Sequence, residues 1–149
     1  MGYFVVEPEA SGRPAGEEGA PSCIFDTWLG DDVVSAHPLL LVTTRLKDAL
    51  LGLSQPTGFS LVPARATRSA FFERYNPDRS LPTFWAVQVE GRPAVDDLGM
   101  SSGGRVVASA RVVEVLARFS LKHATLSQYA ASGAAAGSEQ ELAPSGGVG

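Results

Sequence analysis

Three side chains in this 149-residue chain could serve as a nucleophile or a base: Cys23, His37 and His123. A thiol beside an imidazole is the minimal nucleophile–base pair, provided the two meet in space. No local motif joins them here. Two pairs of adjacent acids, Asp31/Asp32 and Asp96/Asp97, are the other titratable candidates. Acid–base catalysis needs one carboxylate set apart from another by its environment. Neighbouring aspartates on an extended strand point to opposite faces, so Asp31 and Asp32 do not by themselves grip one ion. No third ligand follows at suitable spacing, and the clustered Cys and His of a zinc site are absent. The sequence also lacks a phosphate loop with its lysine, a dinucleotide fingerprint, HExxH and GxSxG. The expectation is a chain with no assigned catalytic residue, metal or cofactor. A small enzyme built around Cys23 or a histidine is the alternative.

The same acids suit a second use, contact with a partner. Trp28 precedes Leu29, Gly30, Asp31 and Asp32 in a turn-forming stretch. Tryptophan is frequent at the centre of interfaces, and acids around it would speed encounter with a basic surface. Trp28, Asp31, Asp32, Asp96 and Asp97 are therefore the partner-binding candidates. The plainer reading, in which Trp28 anchors a turn in the core and the aspartates cap it, stays open beside this one.

The elements that must position these residues are legible from periodicity. Residues 105–126 begin with an apolar run, Val106–Ala108, and then Ser109, whose side-chain oxygen suits a helix N-cap. Val112, Val113, Val115, Leu116 and Phe119 gather on one helical side, leaving Arg111, Glu114 and Arg118 for solvent or a partner. The same order occurs earlier: Leu39–Val42, a cap at Thr43 or Thr44, the stripe Leu46, Ala49, Leu50 and Leu53, then a strand at Phe59–Val62. Aligned on Arg45 and Arg111, Thr43 falls on Ser109 and Leu50 on Leu116. Internal duplication and two similar elements without shared history both fit.

Tyr3–Val6 reads as a first strand. The clearest strand is Thr83–Glu90, with Trp85, Val87 and Val89 on the face expected to meet a helix. Phe71 and Phe72 are expected to cover the sheet. Residues 10–22, rich in Gly, Pro and Ser, read as a flexible loop, and 130–149 as a disordered tail. The fold class is α+β: a mixed or antiparallel sheet packed by two or three helices, in one globular domain over 1–129.

Size and composition narrow the classes. Hydrophobic residues make up 44% and charged residues 19%, a globular balance. The net charge of −4 does not favour nucleic acid, and the basic–aromatic stretch at Arg65–Tyr75 is thin and carries Glu73. A lone cysteine builds no intrachain disulfide and fits a reducing compartment. The first residues lack a basic signal region, and no run reaches the ~20 apolar residues of a membrane span. A cytoplasmic chain without membrane or nucleic-acid partners is expected, with a homodimer left open.

Two stretches carry a resemblance. One is Trp-Leu-Gly-Asp-Asp (Trp28–Asp32), then Thr-Thr-Arg-Leu-Lys-Asp-Ala-Leu (Thr43–Leu50), then Gly58–Phe59. The other is Asp96-Asp97-Leu98-Gly99, a glycine turn, a strand to Ser109, an apolar helix and Leu121–Leu126. Over about Tyr3–Tyr129 the chain resembles small bacterial proteins of the polymorphic-toxin immunity class. It comes nearest to the group named after a Myxococcus immunity protein domain. The resemblance implies a non-catalytic protein that binds and blocks a cognate toxin.

Overall fold

Ser109 caps its helix as its type suggests: its side chain accepts the Val112 N–H, and Ala110–Leu116 follow as helix. Thr43 stands at the equivalent place before helix Thr44–Leu51 but makes no side-chain cap. Its hydroxyl donates instead to Asp32 Oδ1 at 2.6 Å.

The computed structural model describes residues 2–16 and 19–130. In chain order it contains β1 (Tyr3–Glu7), β2 (Glu9–Ala10), β3 (Gly12–Pro14), β4 (Ser22–Phe25), β5 (Val33–Ala36), β6 (Leu39–Thr43), α1 (Thr44–Leu51) and β7 (Phe59–Arg68). There follow α2 (Ala70–Tyr75), β8 (Phe84–Val89), β9 (Leu98–Met100), β10 (Val106–Ser109), α3 (Ala110–Leu116) and β11 (Thr125–Gln128). Part of the stretch expected as a loop is thus a strand, since Gly12–Pro14 pair with Cys23–Phe25. The expected tail lies, from residue 131 on, outside the described residues.

Four strands pair in the order β11-β1-β10-β9, and seven in the order β2-β5-β6-β8-β7-β4-β3. Pairing is antiparallel except at β2–β5 and β4–β7, so the fold is α+β with a mixed sheet. The sheets curve into a nearly closed barrel packed by helices.

One topology occurs twice. The first half supplies β1, β5, β6, α1 and β7; the second supplies β8, β9, β10, α3 and β11. Each half's opening strand is handed to the other: β8 lies between β6 and β7, and β1 between β10 and β11. The registers agree as well. Thr43 faces Phe84 as Ser109 faces Tyr3, and Leu61 faces Val87 as Leu126 faces Val6. Val33 faces Val42 as Leu98 faces Ala108. The alignment of Thr43 on Ser109 is therefore a structural equivalence.

Side chains alternating along the strands feed two cores. The main core joins Val42, Leu46, Leu50 and Val87 with Ala108, Val112, Val115 and Leu116, drawing on both halves. Trp85 and Val89 pack against it, as the expected helix-facing side of that strand. Trp85 Nε1 donates to Thr44 Oγ1 at the start of α1, at 2.9 Å. The opposite face, with Leu41, Phe84 and Ala86, meets Cys23, Phe25 and Phe72 in a second core. That core joins strands of the repeat to two segments outside it, β4 and α2. Phe72 is fully buried there, whereas Phe71 is exposed beside Tyr75, with ring centroids 4.6 Å apart.

Candidate functional site

The paired aspartates sit at the repeated β-to-helix junctions. Asp32 accepts from Thr43 Oγ1, from Arg45 Nε at 2.9 Å and Nη2 at 2.8 Å, and from the Ser120 N–H at 2.9 Å. Asp97 repeats the pattern with Ser109 Oγ at 2.8 Å, Arg111 Nε at 2.9 Å and Nη2 at 2.7 Å, and the Thr57 N–H at 2.9 Å. Burial pushes the Asp32 carboxyl up, but hydrogen bonds from Arg45, Thr43 and Ser120 outweigh it and leave the pKa below the ordinary range. For Asp97 the Arg111 hydrogen bond is the largest influence; it exceeds the effect of burial and holds the carboxyl well below that range. These are bidentate, charge-assisted contacts. Arg45 also lies over the Phe119 ring, 5.5 Å from its centroid. Arg111, expected to be left for solvent or a partner, is committed to Asp97.

The partner-binding candidates are accordingly not displayed together. Asp31, Asp32 and Asp97 are 0%, 2% and 7% exposed. Asp31 accepts from the Lys122 and His123 N–H groups at 3.1 and 2.8 Å, fastening the turn before β11. Trp28 lies edge-on to Phe84 and donates its Nε1–H to the Asp31 backbone oxygen at 2.8 Å. Asp96 is partly exposed and accepts the Arg92 N–H. An acidic patch made of these four aspartates is thus corrected: three of the carboxylates are buried and bonded within the fold.

The catalytic candidates are also in different settings. Cys23 is 1% exposed in the second core. Burial, with Asp26 adding to it, pushes its thiol up to about 11, away from the thiolate a nucleophile needs. His123 is exposed beside Asp31, with Nδ1 3.2 Å from Oδ1. His37 is exposed and lines a cleft.

That cleft has a volume of about 600 Å³ and is lined by strands of both halves. Its walls come from equivalent positions: Val6 with Val87, Leu40 with Val106, and Ser35 with Met100. The polar positions differ between the halves. Glu7 corresponds to Gln88, and Arg105 to Leu39, so an acid and a base stand on one side opposite an amide and an alkyl group. Arg105 Nε is 3.5 Å from Glu7 Oε2. Sequence reading did not locate this cleft, because its walls are ordinary strand residues brought together only by the exchange of β1 and β8.

Among the described residues no helix is long and apolar enough to cross a membrane. No family model, curated protein or solved structure matches the chain.

Proposed function

We propose that this chain is a non-catalytic binding protein of the immunity type, neutralising a cognate bacterial toxin in the cytoplasm by protein–protein contact. The observation that carries this reading is the cleft between the halves. Its apolar walls and few polar groups are the usual composition of a binding site. Where the halves share a role in the scaffold they keep the same chemistry, as at Asp32/Asp97 and Arg45/Arg111. At the cleft they diverge, with Glu7 against Gln88 and Met100 against Ser35. A recognition surface for an asymmetric partner requires that divergence, whereas packing does not. The resemblance of Trp28–Asp32, Thr43–Leu50 and Asp96–Gly99 to the toxin-immunity class supplies the kind of partner. The contact is assigned to the cleft rather than to the buried aspartates.

The test is to sequence the genes flanking this one and to co-express the chain with the product of any toxin-like gene found there; the absence of such a neighbour would count against the reading. Co-purification and protection of growth are expected. Met100→Glu, which puts a charge at an exposed cleft position, should weaken the complex by about tenfold or more with unchanged thermal stability. Equal affinity in that variant would remove the cleft from the contact. The enzyme alternative has His37 at the cleft in its favour. It requires that His37→Ala abolish protection while the complex still forms.

A further inference from the structure

Glu9, on β2, holds a buried carboxylate whose desolvation is only partly offset by its surroundings. Both of its oxygens are closed to solvent and, among the described residues, neither has a hydrogen-bond partner in good geometry. Burying a charge without a partner is among the costliest arrangements in a folded protein. The group sits beside a second carboxylate, that of fully buried Asp31, and beside the His123 imidazole. One ligand-competent atom from each of the three lies within 4.8 Å of the others.

We propose that Glu9, Asp31 and His123 form a binding site for a first-row divalent transition-metal ion of the Zn²⁺ class. Two carboxylates and an imidazole are a donor set suited to such ions. The 3.2 Å between His123 Nδ1 and Asp31 Oδ1 is a separation two ligands of one ion would have. Asp31 is already oriented by the Lys122 and His123 backbone N–H groups, the outer support that metal-binding carboxylates require. His123 is the exposed member, so the ion enters from its side and keeps outward positions for water. Once bound, the ion answers the Glu9 charge and ties β2 to the turn before β11.

The repeat supplies an internal control. Continuing the strand registers, Glu9 corresponds to Glu90, Asp31 to Asp96 and His123 to Gly58. The second half therefore keeps both acids and lacks the imidazole, and Glu90 is exposed. Only the first half has the complete donor set.

Calorimetric titration of the full chain, stripped with chelator, with ZnCl₂ and separately with MnCl₂ tests the site. One ion per chain is expected. Glu9→Gln and His123→Ala should each weaken binding by about tenfold or more. Glu90→Gln should leave it unchanged. Glu9→Gln removes a buried charge whose desolvation outweighs its favourable contacts, so in chelator it should be at least as stable as the parent, which separates lost binding from lost folding. Failure of both ions to saturate the protein overturns the proposal. So does binding that survives both Glu9→Gln and His123→Ala.

Discussion

The carboxylate of Asp32 accepts the backbone N–H of Ser120 across 88 positions of chain, at 2.9 Å. Its counterpart Asp97 accepts the N–H of Thr57 at the same distance. Each acid stands before the hairpin of its own half and fastens the segment that leaves the helix of the other. The two bonds are reciprocal braces. They act on backbone that no helix or sheet ladder would otherwise satisfy, which is why a carboxylate, with acceptor capacity left after its arginine, occupies the place.

Removing a brace should be expensive and removing its neighbour should not. Asp97→Ala leaves Arg111, the Ser109 hydroxyl and the Thr57 N–H without their acceptor, and should cost about 2–4 kcal/mol in urea unfolding. Asp96→Ala loses one partly exposed bond to the Arg92 N–H and should cost less than about 1 kcal/mol. Equal losses in the two variants would contradict the assignment.

The acids also set the pH dependence. The folded pKa values of Asp32 and Asp97 are lowered, so the unfolded chain binds more protons than the native one in acid. Their contribution is full above the ordinary aspartate value of about 3.9 and is lost as pH falls toward the folded values. Glu9 acts in the opposite sense. Burial raises its pKa against the opposing charge of His123, with Asp31 adding to the rise and the Leu29 backbone amide lowering it. Its contribution is full below the ordinary glutamate value of about 4.3 and is lost as pH rises through the folded value. Urea midpoints measured in chelator across pH should therefore pass through a maximum. Asp97→Asn should flatten the acid limb and Glu9→Gln the limb on the other side.

Gly58 is fixed by its surroundings on two counts. Its φ is +89°, a left-handed conformation that side chains disfavour. A Cβ there would also run into the Leu98 backbone oxygen and the Asp96 side chain. Gly58→Ala should lower stability by about 1–3 kcal/mol, read from the thermal midpoint. Gly16, also at positive φ but with no described residue near its missing side chain, should lose less on the same change.

Cys23 should be silent in the native protein. At about pH 8, where an ordinary exposed thiol reacts with a disulfide reagent, its labelling should follow unfolding and become rapid in denaturant. Fast labelling without denaturant would restore it as a candidate nucleophile.

What the sequence disclosed, and what it withheld, divides along locality. Both amphipathic helices and the strand at Thr83–Glu90 were legible because stripe, cap and flanking breaks all lie within a few residues. The partners of the strands were not, since nothing in Tyr3–Val6 indicates that it will lie between β10 and β11. The acid pairs resembled surface groups because a buried aspartate is recognised only by what it bonds. A signal was nonetheless present. Asp32 is followed after 11 positions by Thr43 and then Arg45, and Asp97 after 12 by Ser109 and then Arg111. An acid, a hydroxyl and an arginine recurring in that order mark one brace twice. Glu9 carried no such mark, because its neighbours come from distant parts of the chain and its counterpart Glu90 is exposed.

The exchange of opening strands has a temporal side. Residues 3–7 leave the ribosome well before both strands that flank them, Val106–Ser109 and Thr125–Gln128. β1 must stay unpaired until nearly all of the domain has been synthesised, and the first half must wait for Phe84–Val89 to fill the gap between β6 and β7. Neither half can complete its sheet alone. Stability therefore arrives late and all together, which makes this a domain whose nascent chain is more vulnerable than its finished form.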